Sequence, residues 1–231
     1  KMDLIFVRQD PPFDIPYITS TFLLEYLENE VSIINRPSQI RNSPEKLFLN
    51  KWRHLTPKTL ISRNCENILK FREEYKNIII KPLYGNGGSG VFYIKEDDKN
   101  FNSILEIFLE KSSDQFIIQE YMEDIKKGDK RIILFNGEPV GAINRIPGDQ
   151  DVRANLHVGG VAEKTIITKK ESAICKEIGP SLIEKGLVFA GIDVIGEKLT
   201  EINVTSPTGF REIFQFNNVN LAKKLLDVLL I

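Results

Sequence analysis

Short apolar, β-branched runs alternate along this chain with stretches whose apolar positions recur every three or four residues, the pattern of strands interleaved with amphipathic helices. Residues 4–7 read as a buried strand, and Pro11 and Pro12 make 8–14 a loop because proline fixes φ and removes a donor. Phe22, Leu23, Tyr26 and Leu27 then fall at helical spacing, and 31–34 is another short strand. Ser43 before Pro44 predicts a capped short helix with Lys46 in its first turn. The helix dipole disfavours a lysine there, so Lys46 points into solvent or serves a nearby anion. Residues 56–61 read as an edge strand, followed by a helix over about 64–75 with Ile68, Leu69, Phe71 and Tyr75 inward. Strands at 78–81 and 91–94 flank a glycine-rich loop. Phe101, Ile104, Leu105, Phe108 and Leu109 give the strongest helical signal, and 116–118 is a strand. Residues 130–136 and 138–145 form a hairpin about Asn136-Gly137, a favoured two-residue turn. No period is visible from 146 to 164, a length that predicts a functional lid or disorder. Thr168 and Glu171 form a capping box for a helix to about Gly186, interrupted or kinked at Gly179-Pro180, and strands at 187–195 and 199–204 close the pattern.

Composition narrows the classes of function. The 231 residues suffice for one large domain or two small ones, and 42% hydrophobic content predicts a buried core. A net charge of −1 leaves no basic excess for a nucleic-acid backbone or an anionic membrane. Cys65 and Cys175 are too isolated for a disulfide framework, His54 and His157 have no metal-ligand spacing, and no apolar run approaches a membrane span. A cytoplasmic protein is expected. The strand at 4–7 has nothing before it to pair with, so the sequence is expected to be a fragment.

Candidate chemistry begins at Lys81, which is followed by Gly85, Asn86, Gly87, Gly88, Ser89 and Gly90. Glycines let several backbone N–H groups turn toward one anion. The G-x-G-x-x-G spacing here opens a strand, not a helix, and no Lys-Ser/Thr follows it, which excludes a dinucleotide fingerprint and a Walker loop. A hairpin covering nucleotide phosphates remains, with Lys81 reaching them; a plain turn is the alternative. Where the strand at 116–118 runs into Gln119, Glu120, Tyr121 and Met122, a strand end offers unpaired backbone groups to a purine. With a three-residue loop at 196–198, Asp193 lies opposite Glu201, and Asn203 shares their face. Such carboxylates repel unless a divalent cation lies between them, and an all-oxygen set suits magnesium; a solvated polar face is the alternative.

Lys46, Lys81 with its glycine hairpin, residues 119–122 and the Asp193/Glu201/Asn203 set, in that order, resemble the ATP-grasp carboxylate-amine ligases. The stretches 8–14, 64–82, 128–131, 137–140, 145–147 and 200–208 are similar to the bacterial glutathione synthetases along almost the whole chain. The resemblance implies an α/β (α+β) ATP-grasp fold with two subdomains clasping ATP. Residues 1–38 would be the remnant of an N-terminal α/β domain, and 39–231 the ATP-grasp domain, with a glycine-loop subdomain at about 55–122 and a metal and lid subdomain at 123–231. It implies ligation of γ-glutamylcysteine to glycine with ATP and Mg2+ or Mn2+ through an acyl phosphate, and a homo-oligomer. The other readings are a different ATP-grasp ligase or an ATP-binding module without turnover. Lys46, Lys81, Gly85 to Gly90 and Gln119, Glu120, Tyr121 and Met122 are implied at the nucleotide, and Asp193, Glu201 and Asn203 at the metal. Arg131 would stabilise the transferring phosphoryl, while Arg145, Arg153 and Asn155 would belong to or flank the lid. Arg8, Asn155, Ser206, Pro207, Thr208 and Arg211 are implied at the peptide substrate.

Overall fold

The computed structural model describes residues 2–148 and 151–229. Two antiparallel sheets and a small parallel pair carry the chain. The pair joins β1 (Leu4–Phe6) to β2 (Ser32–Ile34), so the first strand does have a partner. Between them lies α1 (Ile15–Glu25), capped by the Asp14 carboxylate, which accepts from Tyr17 N. The apolar row at helical spacing does not face inward. Tyr17 and Thr21 are buried against α2 (Pro37–Arg41), while Phe22, Leu23 and Tyr26 are exposed. The turn after α2 also differs from expectation: Pro44 O accepts from Leu47 N and Phe48 N, leading into a 3-10 turn (Phe48–Trp52), but the buried Ser43 hydroxyl caps nothing.

The four-stranded sheet has the order β3 (Thr59–Ser62), β6 (Phe116–Glu120), β4 (Ile78–Pro82), β5 (Phe92–Ile94). Its core joins Ile78, Ile80, Ile94 and Ile118 to Ile68 of α3 (Cys65–Tyr75) and to Phe101 and Leu105 of α4 (Phe101–Lys111). Leu69, expected inward, is 50% exposed, because α3 buries only the narrow side around Ile68. The glycine segment connects β4 to β5 as a hairpin, with Ile78 opposite Ile94.

The five-stranded sheet has the order β11 (Lys198–Asn203), β10 (Phe189–Ile195), β7 (Asp129–Phe135), β8 (Glu138–Ile146), β9 (Val161–Lys164). Both of its faces are covered, and the period of two sorts side chains between them. Ile132, Leu134, Ala190 and Ile192 pack under α5 (Lys169–Glu184); Ile133, Phe135, Ile143 and Phe189 pack under α6 (Phe210–Asn217), α7 (Leu221–Leu229), Phe6 and Ile34. Asp129 and Arg131 share the second face with Ile133, so this pleat carries the polar site beyond an apolar core.

Three features depart from the sequence reading. The segment 146–164 contains β9 and a 3-10 turn (Leu156–Val158); Asp149 and Gln150, part of the expected lid, lie outside the described residues. The capping box of α5 is present, and the helix continues through Gly179-Pro180 without interruption. The hairpin after β10 turns at residues 196 and 197, since Ile195 pairs with Lys198, and a bulge at Thr200 restores the Asp193–Glu201 register. Among the described residues no helix is long and apolar enough to cross a membrane.

Candidate active site

The two sheets face one another across a cavity of about 1100 Å3. That is at the top of the range for ligand pockets, which run from about 300 to 1,000 Å3. From the four-stranded sheet β4 contributes Lys81, which is buried; burial lowers its pKa, against the pull of Glu201. From the turn after α2 comes Lys46, also buried, whose Nζ donates to Gly85 O at 2.5 Å and lies 3.8 Å from Glu201 Oε1. Lys46 thus points inward to an anion, not into solvent.

Above both lysines lies the glycine hairpin. Gly87, Gly88 and Gly90 have φ of 60°, 81° and 70°, which turns their backbone as an anion nest requires. Gly85 is glycine for another reason, since a Cβ there would come within 2.5 Å of Pro82 Cγ. The segment after β8 folds down onto this hairpin. Arg153 Nη1 donates to Gly88 O at 3.0 Å while its other nitrogens hold Asp151, and Asn155 Oδ1 would lie 2.7 Å from a Cβ on Gly88. His157 approaches Gly87 beside them. Asn86 and Ser89 line the same cavity, closed by a turn in which Ser89 N donates to Asn86 O.

At the end of β6, Gln119, Glu120, Tyr121 and Met122 all line the cavity. Their backbone is less free than expected: Glu120 N donates to Lys58 O and Tyr121 N to Asn77 O. The Glu120 carboxylate accepts from Lys58 N, and Gln119 Nε2 donates to Thr59 Oγ1 at 2.8 Å. Tyr121 stacks on Tyr93 with ring centroids 4.0 Å apart, giving this end an aromatic wall.

The opposite wall is a row of charges across β11, β10, β7 and β8. Asp193 stands opposite Glu201 on one side and Arg131 on the other, and Asp129 stands opposite Arg145. Arg131 grips Asp193 with two nitrogens, Nη2 to Oδ2 at 2.9 Å, and Arg145 Nη2 reaches the same oxygen at 3.0 Å. Burial opposes the charge on Asp193, but these two guanidiniums outweigh it and hold the carboxyl well below the usual range. Burial likewise works against Arg145, and Asp129 and Asp193 more than reverse it. Arg145 is therefore a sheet residue inside this row that flanks the lid segment. The Asp193–Glu201 repulsion expected from the sequence is met by cations of the protein itself: two arginines at Asp193 and Lys46 near Glu201.

These donors fit a divalent cation, although among the described residues no three His, Cys, Asp or Glu side chains cluster for one. Asp193, Glu201 and Asn203 line one wall; Asp193 Oδ2 is taken by Arg131, Arg145 and the Asn203 amide nitrogen at 3.4 Å, which leaves Asp193 Oδ1, with one arginine bond, the Glu201 carboxylate and the Asn203 amide oxygen as the all-oxygen donors for a cation.

The remaining predicted residues gather at the end of the cavity near β1. Ser206, at φ 52°, lies 3.3 Å from Asp10 Oδ1 and 3.4 Å from Arg8 O. Arg8 Nη1 donates to Pro207 O at 3.2 Å, and Thr208 O faces Arg131 Nη1. Arg211 opens α6 at the rim and is exposed.

Two carboxylates here escaped the sequence reading. Glu45 accepts from Thr205 Oγ1 at 2.9 Å, and burial, with Glu201 adding to it, pushes it up to about 7. Asp129 is pushed up to about 7, by burial first, against the pull of Arg145. Their signal was adjacency: Glu45 immediately precedes Lys46, and Asp129 lies two residues before Arg131 on one strand face.

Comparison with known proteins adds the lineage. Residues 45–218 match the model of the prokaryotic glutathione synthetase ATP-grasp domain, and residues 1–41 that of the prokaryotic glutathione synthetase N-terminal domain. The glutathione synthetase of Agrobacterium fabrum is 53% identical over 99% of this chain and 72% of its own length. That of Mesorhizobium japonicum is 51% identical over 98% and 72%. Among solved structures, D-cycloserine synthetase DcsG superposes with a TM-score of 0.74 at 16% identity, covering 99% of this chain and 84% of the other, a likeness of fold. Two adjoining family models and relatives of this identity establish that the chain belongs to the family of prokaryotic glutathione synthetases, on an ATP-grasp fold.

Proposed function

We propose that this chain joins γ-glutamylcysteine to glycine with ATP and a divalent cation, magnesium or manganese, through an acyl phosphate. The observation that carries this reading is the gathering of Lys46, Lys81, Arg131 and Arg145 with Asp193 and Glu201 in one cavity beneath two loops. Phosphoryl transfer asks a protein mainly for position and compensating charge. Lys81 and Lys46 face the phosphates from below, and the backbone of Gly87 to Gly90 covers them. Gln119, Tyr121 and Met122 border the adenine, and Glu120 the ribose edge. Asp193, Glu201 and Asn203 would hold the cation, whose positive charge would offset that of the phosphates.

In the first step the cysteinyl carboxylate oxygen attacks the γ-phosphorus, and the bond from that phosphorus to the bridging oxygen breaks, releasing ADP. Arg131 and Arg145 stabilise the charge on the transferring group. In the second, the glycine amine, having lost its ammonium proton, attacks the carbonyl carbon; the carbon–oxygen bond breaks, and the departing inorganic phosphate takes up the second N–H proton. Arg153 and Asn155, seated on the glycine hairpin, keep water from the acyl phosphate. Arg8, Ser206, Pro207, Thr208 and Arg211 form the end of the cavity assigned to the peptide. The same reading divides the chain at 38/39, within α2 and a few residues before the two family matches meet between 41 and 45, and includes a homo-oligomer, supported by the exposed row Phe22, Leu23 and Tyr26.

Phosphate release tests the reading. Release from ATP that requires magnesium, γ-glutamylcysteine and glycine together is expected. Release with a different carboxylate or amine would assign another ligase reaction, and ATP binding without release would leave a nucleotide-binding module.

A further inference from the structure

The charge row contains one atom that the proposed chemistry leaves unused. Asp129 is 9% exposed and lines the cavity; its Oδ2 accepts from Arg145 Nη2, but its buried Oδ1 has no hydrogen-bond partner among the described residues. A buried carboxylate oxygen left bare costs about 1–3 kcal/mol or more, so a group that satisfies it on binding gains that much affinity. The residue cannot simply turn away. It opens β7, pinned in register with Arg145, and Gly128 before it has φ 118° and packs so tightly that a Cβ would fall within 2.5 Å of the Asn144 side chain.

Ionised beside Arg145, the bare oxygen selects for a donor with positive charge. An anion would meet a carboxylate, and a phosphate oxygen has no proton to give. A second metal ion is disfavoured because the arginines already occupy the neighbouring space: Arg145 is bonded to Asp129, and Arg131 is on the same strand face. Asp193 is on the adjacent strand, but Arg145 Nη2 lies between its Oδ2 and the Asp129 Oδ2, at 3.0 and 2.5 Å, so a guanidinium already fills the space between these carboxylates. A primary ammonium meets every requirement. Of the two ammonium groups in the proposed reaction, one sits at the far end of γ-glutamylcysteine, while the attacking amine must approach the carbonyl carbon bearing the phosphoryl group, beside Arg131 and Arg145.

We propose that Asp129 is the docking residue for the amine substrate, its Oδ1 accepting a hydrogen bond from the ammonium of glycine and aiming the nitrogen at the acyl phosphate. This rests on the ligase reading above. The electrostatics agree with it, since burial makes the ionised carboxylate costly and an ammonium offsets that cost.

The test uses two nucleophiles. Hydroxylamine is uncharged at mildly alkaline pH and traps an acyl phosphate as a hydroxamate without needing an ammonium site. In Asp129→Asn, which also removes the carboxylate beside Arg145, the KM for glycine is expected to rise on the order of tenfold or more, as for a lost charge-assisted hydrogen bond, while hydroxamate formation from γ-glutamylcysteine falls by a clearly smaller factor and the KM for ATP stays within about twofold of the unaltered enzyme. An unchanged KM for glycine overturns the proposal. So does loss of hydroxamate formation in a variant that still binds ATP by calorimetry, or a raised magnesium requirement with glycine affinity intact, which would make Asp129 a cation ligand. Should the variant fail to bind ATP, a crystal structure of the unaltered enzyme with glycine and a non-hydrolysable ATP analogue decides: an ammonium on Asp129 Oδ1 supports the assignment, and one placed elsewhere overturns it. Absence of hydroxamate with the unaltered enzyme would instead count against the ligase reading itself.

Discussion

Lys81 reaches the cavity from a strand that also carries the buried Ile78 and Ile80, and its ammonium is costly there until an anion arrives. Lys81→Ala is expected to weaken ATP binding by about 1.5–3 kcal/mol, the range for a hydrogen bond to a charged group, measured by calorimetry. Unchanged affinity would remove Lys81 from the phosphates. Glu45 makes a pH prediction with a definite sign. Its ordinary value is 4.5 and burial raises it to about 7 in the folded state, so between those values the folded chain holds a proton that the unfolded chain has released. Its contribution to stability therefore falls as pH rises through that window and levels off above it. Glu45→Gln cannot ionise and is expected to flatten the decline of ligand-free stability from about pH 5 to 7. An equal slope in both proteins would show that Glu45 titrates normally.

At the scale of elements, the β7–β8 turn rests on α5 through two glycines. Gly137 has φ 75°, and a Cβ on Gly179 would lie 2.9 Å from Gly137 O, which explains why α5 carries glycine in mid-helix despite its low propensity. Gly179→Ala gains helix propensity but forces the hairpin away, and overpacking of this kind costs about 1–3 kcal/mol. The expected result is a melting temperature lower by roughly 2–4 °C per kcal/mol, followed by circular dichroism. An unchanged or higher value would mean that the turn gives way freely. The next hairpin shows how register can survive a different turn. The three-residue loop expected at 196–198 is a two-residue turn, yet the bulge at Thr200, whose hydroxyl donates to Asp193 O, returns Glu201 to its place opposite Asp193.

At the scale of the molecule, the cavity wall comes from both sheets, each with its own core, so nucleotide should stabilise both together. ATP with magnesium at a hundred times its dissociation constant adds about 2.7 kcal/mol, a rise in melting temperature of roughly 5–10 °C for a chain of this size. One cooperative transition is expected to move. Two transitions, of which only one shifts, would show that nucleotide binds a single sheet.

The elements with a strong local period are legible in the amino-acid pattern: the helices of Ile68 and Phe101, the Asn136-Gly137 hairpin, the α5 capping box and the glycine loop between strands each follow from spacing and turn chemistry within a few residues. The family is legible as well, because its motifs are long and collinear. What local pattern could not supply were facts of packing. The row Phe22, Leu23 and Tyr26 reads as core, yet which side of α1 is buried depends on where α2 and Thr21 meet it. β9 lacks an apolar period because it is a short, largely exposed strand held by backbone bonds to β8. The helices Phe210–Asn217 and Leu221–Leu229 were not read from the sequence, though their apolar residues cover the second face of the sheet. The same holds for charge: Asp193 and Glu201 announced a shared face, but Arg131 and Arg145 balance it and Asp129 is left with a bare oxygen only because five strands bring residues from 129 to 203 into one row. Sequence alone determined which side chains this protein has for handling ATP and which strands and helices carry them. Tertiary structure decided which charges meet, because long-range strand pairing and burial, not chain neighbours, set the distance and dielectric between them.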